Sequence, residues 1–225
     1  MIDLETLSTN PNATILTVGG VKFDPYTSEE PAEGMYFRVD VNSQTSMGRD
    51  VMQETVDWWS KQPKEISDEA FSDDNRESLN DMIKKINKFS VGVDVFWCQG
   101  PLFDYAILQD IYKQLGHPVP WQYWQIRDSR TLFSLLPRDI KEKRTGLHNA
   151  LADCFFQAKK VQKVYKQLGI KNAQFKVSIE QEDHLNSIGK DTVKFLFSAN
   201  KGAPLQEMSK VASGGEVSRL SLIHI

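Results

Sequence analysis

Met1-Ile2-Asp3-Leu4-Glu5-Thr6-Leu7 sets two carboxylates two residues apart inside an apolar run. Side chains alternate faces along a strand, so Asp3 and Glu5 point one way while Ile2 and Leu4 point the other. Two acids on one face of a buried strand repel each other, and desolvation strengthens the repulsion. Protonation of one acid, or a cation between the two, relieves it. Hard divalent cations take oxygen ligands, and Mg²⁺ in particular is held by a few carboxylates together with substrate phosphate. The stretch therefore reads as one edge of a metal site or as an exposed strand whose acids face water. Only Met1 and Ile2 precede Asp3, so a strand of ordinary length, about five residues, would be clipped here or begin upstream.

Outward from this strand, a turn at Asn10-Pro11 leads to residues 13–23, a long β-branched strand. Its Gly19 and Gly20 mark a bulge or a close backbone approach. Residues 34–41 alternate and are expected to pair antiparallel with it, giving a three-stranded meander. The period then changes. Residues 54–62 form a short helix stopped at Pro63. Residues 75–89 carry Leu79, Met82, Ile83 and Ile86 at helical spacing. Residues 93–98 are a nearly continuous apolar strand of the kind buried on both faces. A helix over 103–115, a short aromatic strand over 121–127, a short helix over 129–136, a charged loop over 138–144 and a long helix over 149–168 complete the order. A meander followed by β-α-β units predicts an α/β domain, a mixed five-stranded sheet flanked by helices in three layers, closing near Leu168.

The bulk properties bound this reading. The 225 residues fit one ordinary domain with an appendage, or two small domains. A net charge of −3 is not that of a protein coating nucleic acid through a basic surface, yet it leaves room for a nuclease whose acids hold metal. Cys98 and Cys154 are too few for a disulfide framework or a four-ligand zinc site, and read as buried thiols of a reducing compartment. No apolar run is long enough to cross a membrane and no signal peptide opens the chain, so the expected setting is cytoplasmic, without membrane association.

Further acids fall at strand ends. Asp104 follows the buried strand, at the start of the next helix. Sites gather outside the carboxyl ends of strands in open α/β sheets, although an acid in a first helical turn also serves as a cap. In His148-Asn149-Ala150-Leu151-Ala152-Asp153, two helical residues five apart would lie about 140° apart. The natural solution puts His148 in the loop before the helix and Asp153 one turn inside it. Cys154-Phe155-Phe156 makes the surroundings of Asp153 apolar, where an unpartnered charge is costly. A loop histidine beside a cation is a candidate general base for water. Trp58 and Trp59 could stack a base, but adjacent helical residues diverge by about 100°, so at most one faces substrate. Lys141, Lys143 and Arg144 could meet backbone phosphates or simply be solvated.

Taken in order, Asp3-x-Glu5, Asp104 and His148-x-x-x-x-Asp153 resemble the DEDDh 3′–5′ exonucleases of the ribonuclease H-like superfamily. The segments 3–7, 15–19, 55–59, 128–132 and 148–153 resemble the phage-type branch, and the likeness covers about residues 1–168. The resemblance implies a ribonuclease H-like fold and a metal-dependent hydrolase acting on single-stranded DNA or RNA 3′ ends. It implies that Asp3, Glu5, Asp104 and Asp153 hold two Mg²⁺ or Mn²⁺ ions and that His148 deprotonates the attacking water. Thr6 and Leu7 would line the terminal-nucleotide pocket, with Gln99 nearby. The products would be nucleoside 5′-monophosphates. A rival reading is a catalytically silent nucleic-acid-binding or proofreading module.

After Gly169 the text changes. Residues 175–179 and 192–198 read as strands. Ala212-Ser213-Gly214-Gly215-Glu216-Val217-Ser218-Arg219 resembles the signature motif of ABC-type ATPases, and the run from Gly189 to Arg219 is similar to the RecN DNA-repair ATPases. That resemblance implies that Ser213, Gly214 and Gly215 touch the γ-phosphate of ATP held by a partner. No Gly-x-x-x-x-Gly-Lys-Ser/Thr loop accompanies it, since Gly189-Lys190 lacks the first glycine, so the expected 169–219 segment is a truncated ATPase-like fragment. Leu220 to Ile225 resembles a translated sequencing adapter. A third reading makes this tail an ATPase-associated DNA-repair module.

Overall fold

The alternation at the start of the chain carries through into the fold. Ile2 and Leu4 lie in the main core, 3% and 4% exposed. Their strand, β1 (Ile2–Thr6), pairs antiparallel with β2 (Ile15–Lys22), which pairs antiparallel with β3 (Glu33–Arg38). The computed structural model describes residues 1–31, 33–135, 148–168, 174–186, 189–198 and 204–211. It divides into two compact units, Met1–Val164 and Tyr165–Ile225.

The meander ends earlier than the alternation predicts. Asp40 leaves the strand and caps α1 (Val41–Ser46), its carboxylate accepting the Ser43 N–H at 2.9 Å. Gln44 on this helix is fully buried and satisfies both backbone groups of Ile15, at 2.8 Å each. α2 (Gln53–Trp59) ends at its cap Ser60, short of the expected stop at Pro63, and Pro63 is the N-cap of a further helix, α3 (Lys64–Phe71). α4 (Leu79–Phe89) buries Leu79, Met82, Ile83 and Ile86, and its cap Ser78 accepts the Asp81 N–H.

β4 (Phe96–Cys98), α5 (Asp104–Gln114), β5 (Ile126–Asp128) and α6 (Ser129–Phe133) follow, and β4 and β5 run parallel. Of the aromatic stretch expected as strand over 121–127, Ile126 and Arg127 are strand, while Tyr123–Gln125 form a 3-10 turn with Tyr123 and Trp124 exposed. α7 (Ala150–Leu168) closes the α/β part. The five strands do not form one hydrogen-bonded sheet among the described residues: β1, β2 and β3 make a three-stranded sheet, and β4 and β5 a separate two-stranded one. β1 lies beside β4. However, the Leu4 N–H on that side is taken by the Asp104 carboxylate at 3.1 Å, and β4 offers only three residues. The charged loop 138–144 lies outside the described residues.

In the second unit, β6 (Gln174–Asn186) and β7 (Gly189–Ser198) form an antiparallel hairpin that extends both expected strands, and β8 (Gln206–Glu207) adds to its edge before α8 (Met208–Val211). Lys194 and Glu180 pair across the hairpin at 2.6 Å. The signature-like stretch 212–219 and residues 220–225 lie outside the described residues. No helix among the described residues is long and apolar enough to cross a membrane.

Candidate active site

β1 supplies the first two acids. In its register with β2, Asp3 faces Gly19 and Glu5 faces Thr17, so these four positions share one face of the sheet. A Cβ at Gly19 would lie 2.2 Å from the Ala150 carbonyl carbon and 2.4 Å from its oxygen. Glycine at this position is what lets the start of α7 lie directly on β2. The close approach expected of Gly19-Gly20 is therefore real at Gly19, and it brings His148 and Asp153 over the β1 acids.

The turn into α7 has the geometry the spacing requires. His148 sits just before the helix at φ 65°. Asn149 accepts the Ala152 N–H at 3.0 Å through its side chain, and the Asp153 carboxylate accepts the His148 N–H at 3.2 Å. One atom each of Glu5, His148 and Asp153 that can ligate a metal lies within 4.8 Å of the others. One turn further along α7, Gln157 donates to the Asp3 carboxylate at 3.0 Å. The sequence reading passed over Gln157, although its i+4 spacing from Asp153 puts it on the same helix face.

Asp104 enters from the end of β4. It is 3% exposed and accepts the Leu4 N–H. Burial first, and then the negative charge of Asp3, push its carboxyl well above the ordinary carboxylate range, against the opposing pull of the Leu4 N–H and the Arg130 guanidinium. Asp3, Glu5, Gln99, Asp104, His148 and Asp153 all line one cleft of about 200 Å³. Phe103, Arg130 and Gln157 line it as well, and sequence reasoning assigned none of them a role.

A second cleft of about 420 Å³ shares Leu4, Glu5 and Phe103 with the first. Thr6, Met52, Thr55 and Trp58 line it. Leu7, expected beside Thr6 in this role, packs instead into a small apolar cluster with Leu16, Trp59 and Ala70. The two tryptophans divide as the helical angle demands. Trp59 is 2% exposed and its indole N–H donates to the Thr6 carbonyl at 2.9 Å. Trp58 is half-exposed and meets the His148 ring edge-on, centroids 4.7 Å apart at 90°.

The donor set suits a hard divalent cation: carboxylate oxygens and one imidazole. An orphan supports the fit. Gln157 Oε1 is buried at the acidic cleft with no hydrogen-bond partner among the described residues, and a buried carbonyl oxygen needs a donor such as water.

Comparison with known proteins gives two results of different reach. The DNA repair protein RecN of Vibrio cholerae is 47% identical over 70 residues, 29% of this chain and 13% of that protein. RecN of Haemophilus influenzae is 41% identical over 66 residues, and RecN of Bacillus subtilis 57% over 42, covering 12% and 7% of those proteins. The chain thus spans only a small part of the length of these relatives. No solved structure matches. Residues 1–165 match the family model described as the 3′-5′ exoribonuclease Rv2179c-like domain, and the chain belongs to that family.

Proposed function

We propose that the first unit is a divalent-metal-dependent 3′–5′ exonuclease of the DEDDh, ribonuclease H-like kind. It removes nucleotides from the 3′ ends of single-stranded RNA as nucleoside 5′-monophosphates. The observation that carries the reading is one cleft lined by Asp3, Glu5, Asp104, Asp153 and His148, in a chain of an exoribonuclease family. Asp3, Glu5, Asp104 and Asp153 would hold two Mg²⁺ or Mn²⁺ ions. When bound, such ions supply Lewis-acid stabilisation of charge on the phosphate and make water more acidic.

The remaining roles belong to the chain. His148 accepts the proton of the attacking water at its imidazole. Its backbone is held by Asp153 and its ring by Trp58. Gln157 fixes the orientation of Asp3. Thr6, Met52 and the exposed face of Trp58 accept the terminal nucleoside in the larger cleft, and base–aromatic stacking contributes about 1–3 kcal/mol. Leu7 supports this cleft from the apolar cluster beneath, and Gln99 lines the phosphate side.

A DNA substrate is the second reading, favoured by the likeness to RecN, whose name is that of a DNA repair protein. In the same reading, residues 1–168 form the exonuclease domain and 169–219 a RecN-like ATPase fragment. The test is digestion of 5′-labelled single-stranded RNA and DNA with Mg²⁺ or Mn²⁺. Stepwise shortening is expected for wild type. EDTA abolishes it, and Asp3→Asn and His148→Ala each lower it by about a hundredfold or more. Undiminished cleavage in EDTA, or variants that match wild type, would end the proposal.

A further inference from the structure

Arg130 lines the acidic cleft, but the larger apolar cleft is lined without it. Its Nη2 donates to the Gln99 carbonyl at 3.0 Å. Gly100, at φ 127°, lets the chain turn under the guanidinium, and a Cβ there would lie 3.8 Å from Nη2. The side chain is exposed. Four carboxylates line the same cleft, yet no ion pair joins Arg130 to any of them among the described residues. A guanidinium is a fork of five donors matched to phosphate. Here one nitrogen is held on a backbone carbonyl, and the other two have no protein partner among the described residues.

Resting on the exonuclease reading above, we infer that Arg130 is a substrate-binding residue that grips the second phosphate from the 3′ end, one nucleotide upstream of the bond that is cut. The placement argues for this. A nucleoside in the larger cleft puts the scissile phosphate at the edge shared by the two clefts, beside Glu5. The strand then continues over the acidic cleft, whose four carboxylates hold the ions in that reading, and among the described residues Arg130 is the cation that lines this cleft and can meet the next phosphate. Arg130 gives the enzyme a reason to prefer a chain over a single nucleotide ester.

Two measurements on the full chain test it. The first is fluorescence anisotropy with a 5′-labelled single-stranded RNA oligonucleotide in EDTA, at several salt concentrations. Arg130→Ala is expected to weaken binding about tenfold or more, as for loss of a charge-assisted bond. It should also flatten the log–log salt dependence by about 0.7, the value for one single-stranded phosphate contact. Arg130→Lys should restore the salt slope but only part of the affinity, because it keeps the charge and loses the fork.

The second measurement compares hydrolysis, with Mn²⁺, of that RNA and of the p-nitrophenyl ester of uridine 5′-monophosphate, which has no second phosphate. The Arg130→Ala loss in kcat/KM should be at least about tenfold larger on the RNA. Equal loss on both substrates would assign Arg130 to the scissile phosphate and overturn the proposal, and so would an unchanged salt slope. Failure of the exonuclease reading shows itself separately, as a wild-type protein that hydrolyses neither substrate.

Discussion

Gly19→Ala adds one methyl group to the middle of β2 and should disable the site from beneath. The new Cβ would lie 2.2 Å from the carbonyl carbon of Ala150, 2.4 Å from its oxygen and 2.5 Å from the Leu151 nitrogen. All three are backbone atoms of α7, so no side chain can swing away. The strand and the helix start must separate by on the order of 1 Å to reach ordinary contact. The φ of Gly19 is outside the left-handed region, so the whole effect is steric. Overpacking of this kind costs about 1–3 kcal/mol. The displaced elements carry His148 and Asp153, and a misplacement of about 1 Å can lower a catalytic rate about a hundredfold. Urea denaturation and initial rates on labelled RNA measure the two effects. Gly20→Ala is the control: its Cβ meets Met35 and Phe89 side-chain atoms at 2.7–3.1 Å. Those side chains can shift, so a smaller loss is expected. A Gly19→Ala protein with wild-type stability and rate would show that the close approach does not seat α7.

Two further outcomes follow from the same geometry. Asp104 has its carboxyl raised above the ordinary value of 3.8 by burial and by Asp3. An acid so shifted contributes stability that is complete below its unfolded value and is lost as pH rises toward its folded one. Metal-free protein should therefore lose thermal stability as pH climbs above about 4, and Asp104→Asn should lose less. Mg²⁺ should raise the melting temperature more at pH 8 than at pH 5, because bound ions need the ionised carboxylate; equal stabilisation at both pH values would contradict this. The tryptophan pair should separate stability from activity. Trp59→Phe leaves the buried Thr6 carbonyl without its 2.9 Å donor and should cost about 1–3 kcal/mol in urea denaturation. Trp58→Ala should change stability little, while raising KM and lowering kcat through the lost His148 contact.

Much of the architecture could be read from period alone. The change from a two-residue to a helical repeat locates the meander, α4, α5 and α7, because in each the apolar face packs into the core. What period could not supply was tertiary. Nothing local says that Asp40 will cap a helix rather than extend a strand, or that α2 will end at Ser60 and Pro63 will open a further helix. The single five-stranded sheet was expected from strand order. Whether β1 and β4 share a ladder depends on which acceptor reaches the Leu4 N–H. The winner is a carboxylate 100 residues away. Arg130 carried no local signal as a charged residue on a helix, and Gln157 only the weak one of its i+4 spacing from Asp153. Only the cleft they line distinguishes them from solvated side chains.

The acids were legible for a physical reason that also bears on function. A folding chain gains nothing by setting Asp3 and Glu5 on one face, burying Asp104 at 3% exposure next to Asp3, and leaving Gln157 Oε1 without a donor among the described residues. Each choice opposes stability in the absence of a compensating charge. Elsewhere several local preferences agree with the fold: Asp40 and Ser78 cap α1 and α4, and Gln44 is satisfied on both backbone groups of Ile15. Several acids brought together in one cleft against that tendency are what a site built for a cationic partner leaves behind. The sign of that cluster is negative and its atoms are oxygens, so the partner it calls for is a hard cation. RNA cannot be that partner by itself, since its phosphates add to the repulsion. The acids and the nucleic acid are compatible only through positive charge placed between them, and among the described residues Arg130 is the cation that lines that cleft.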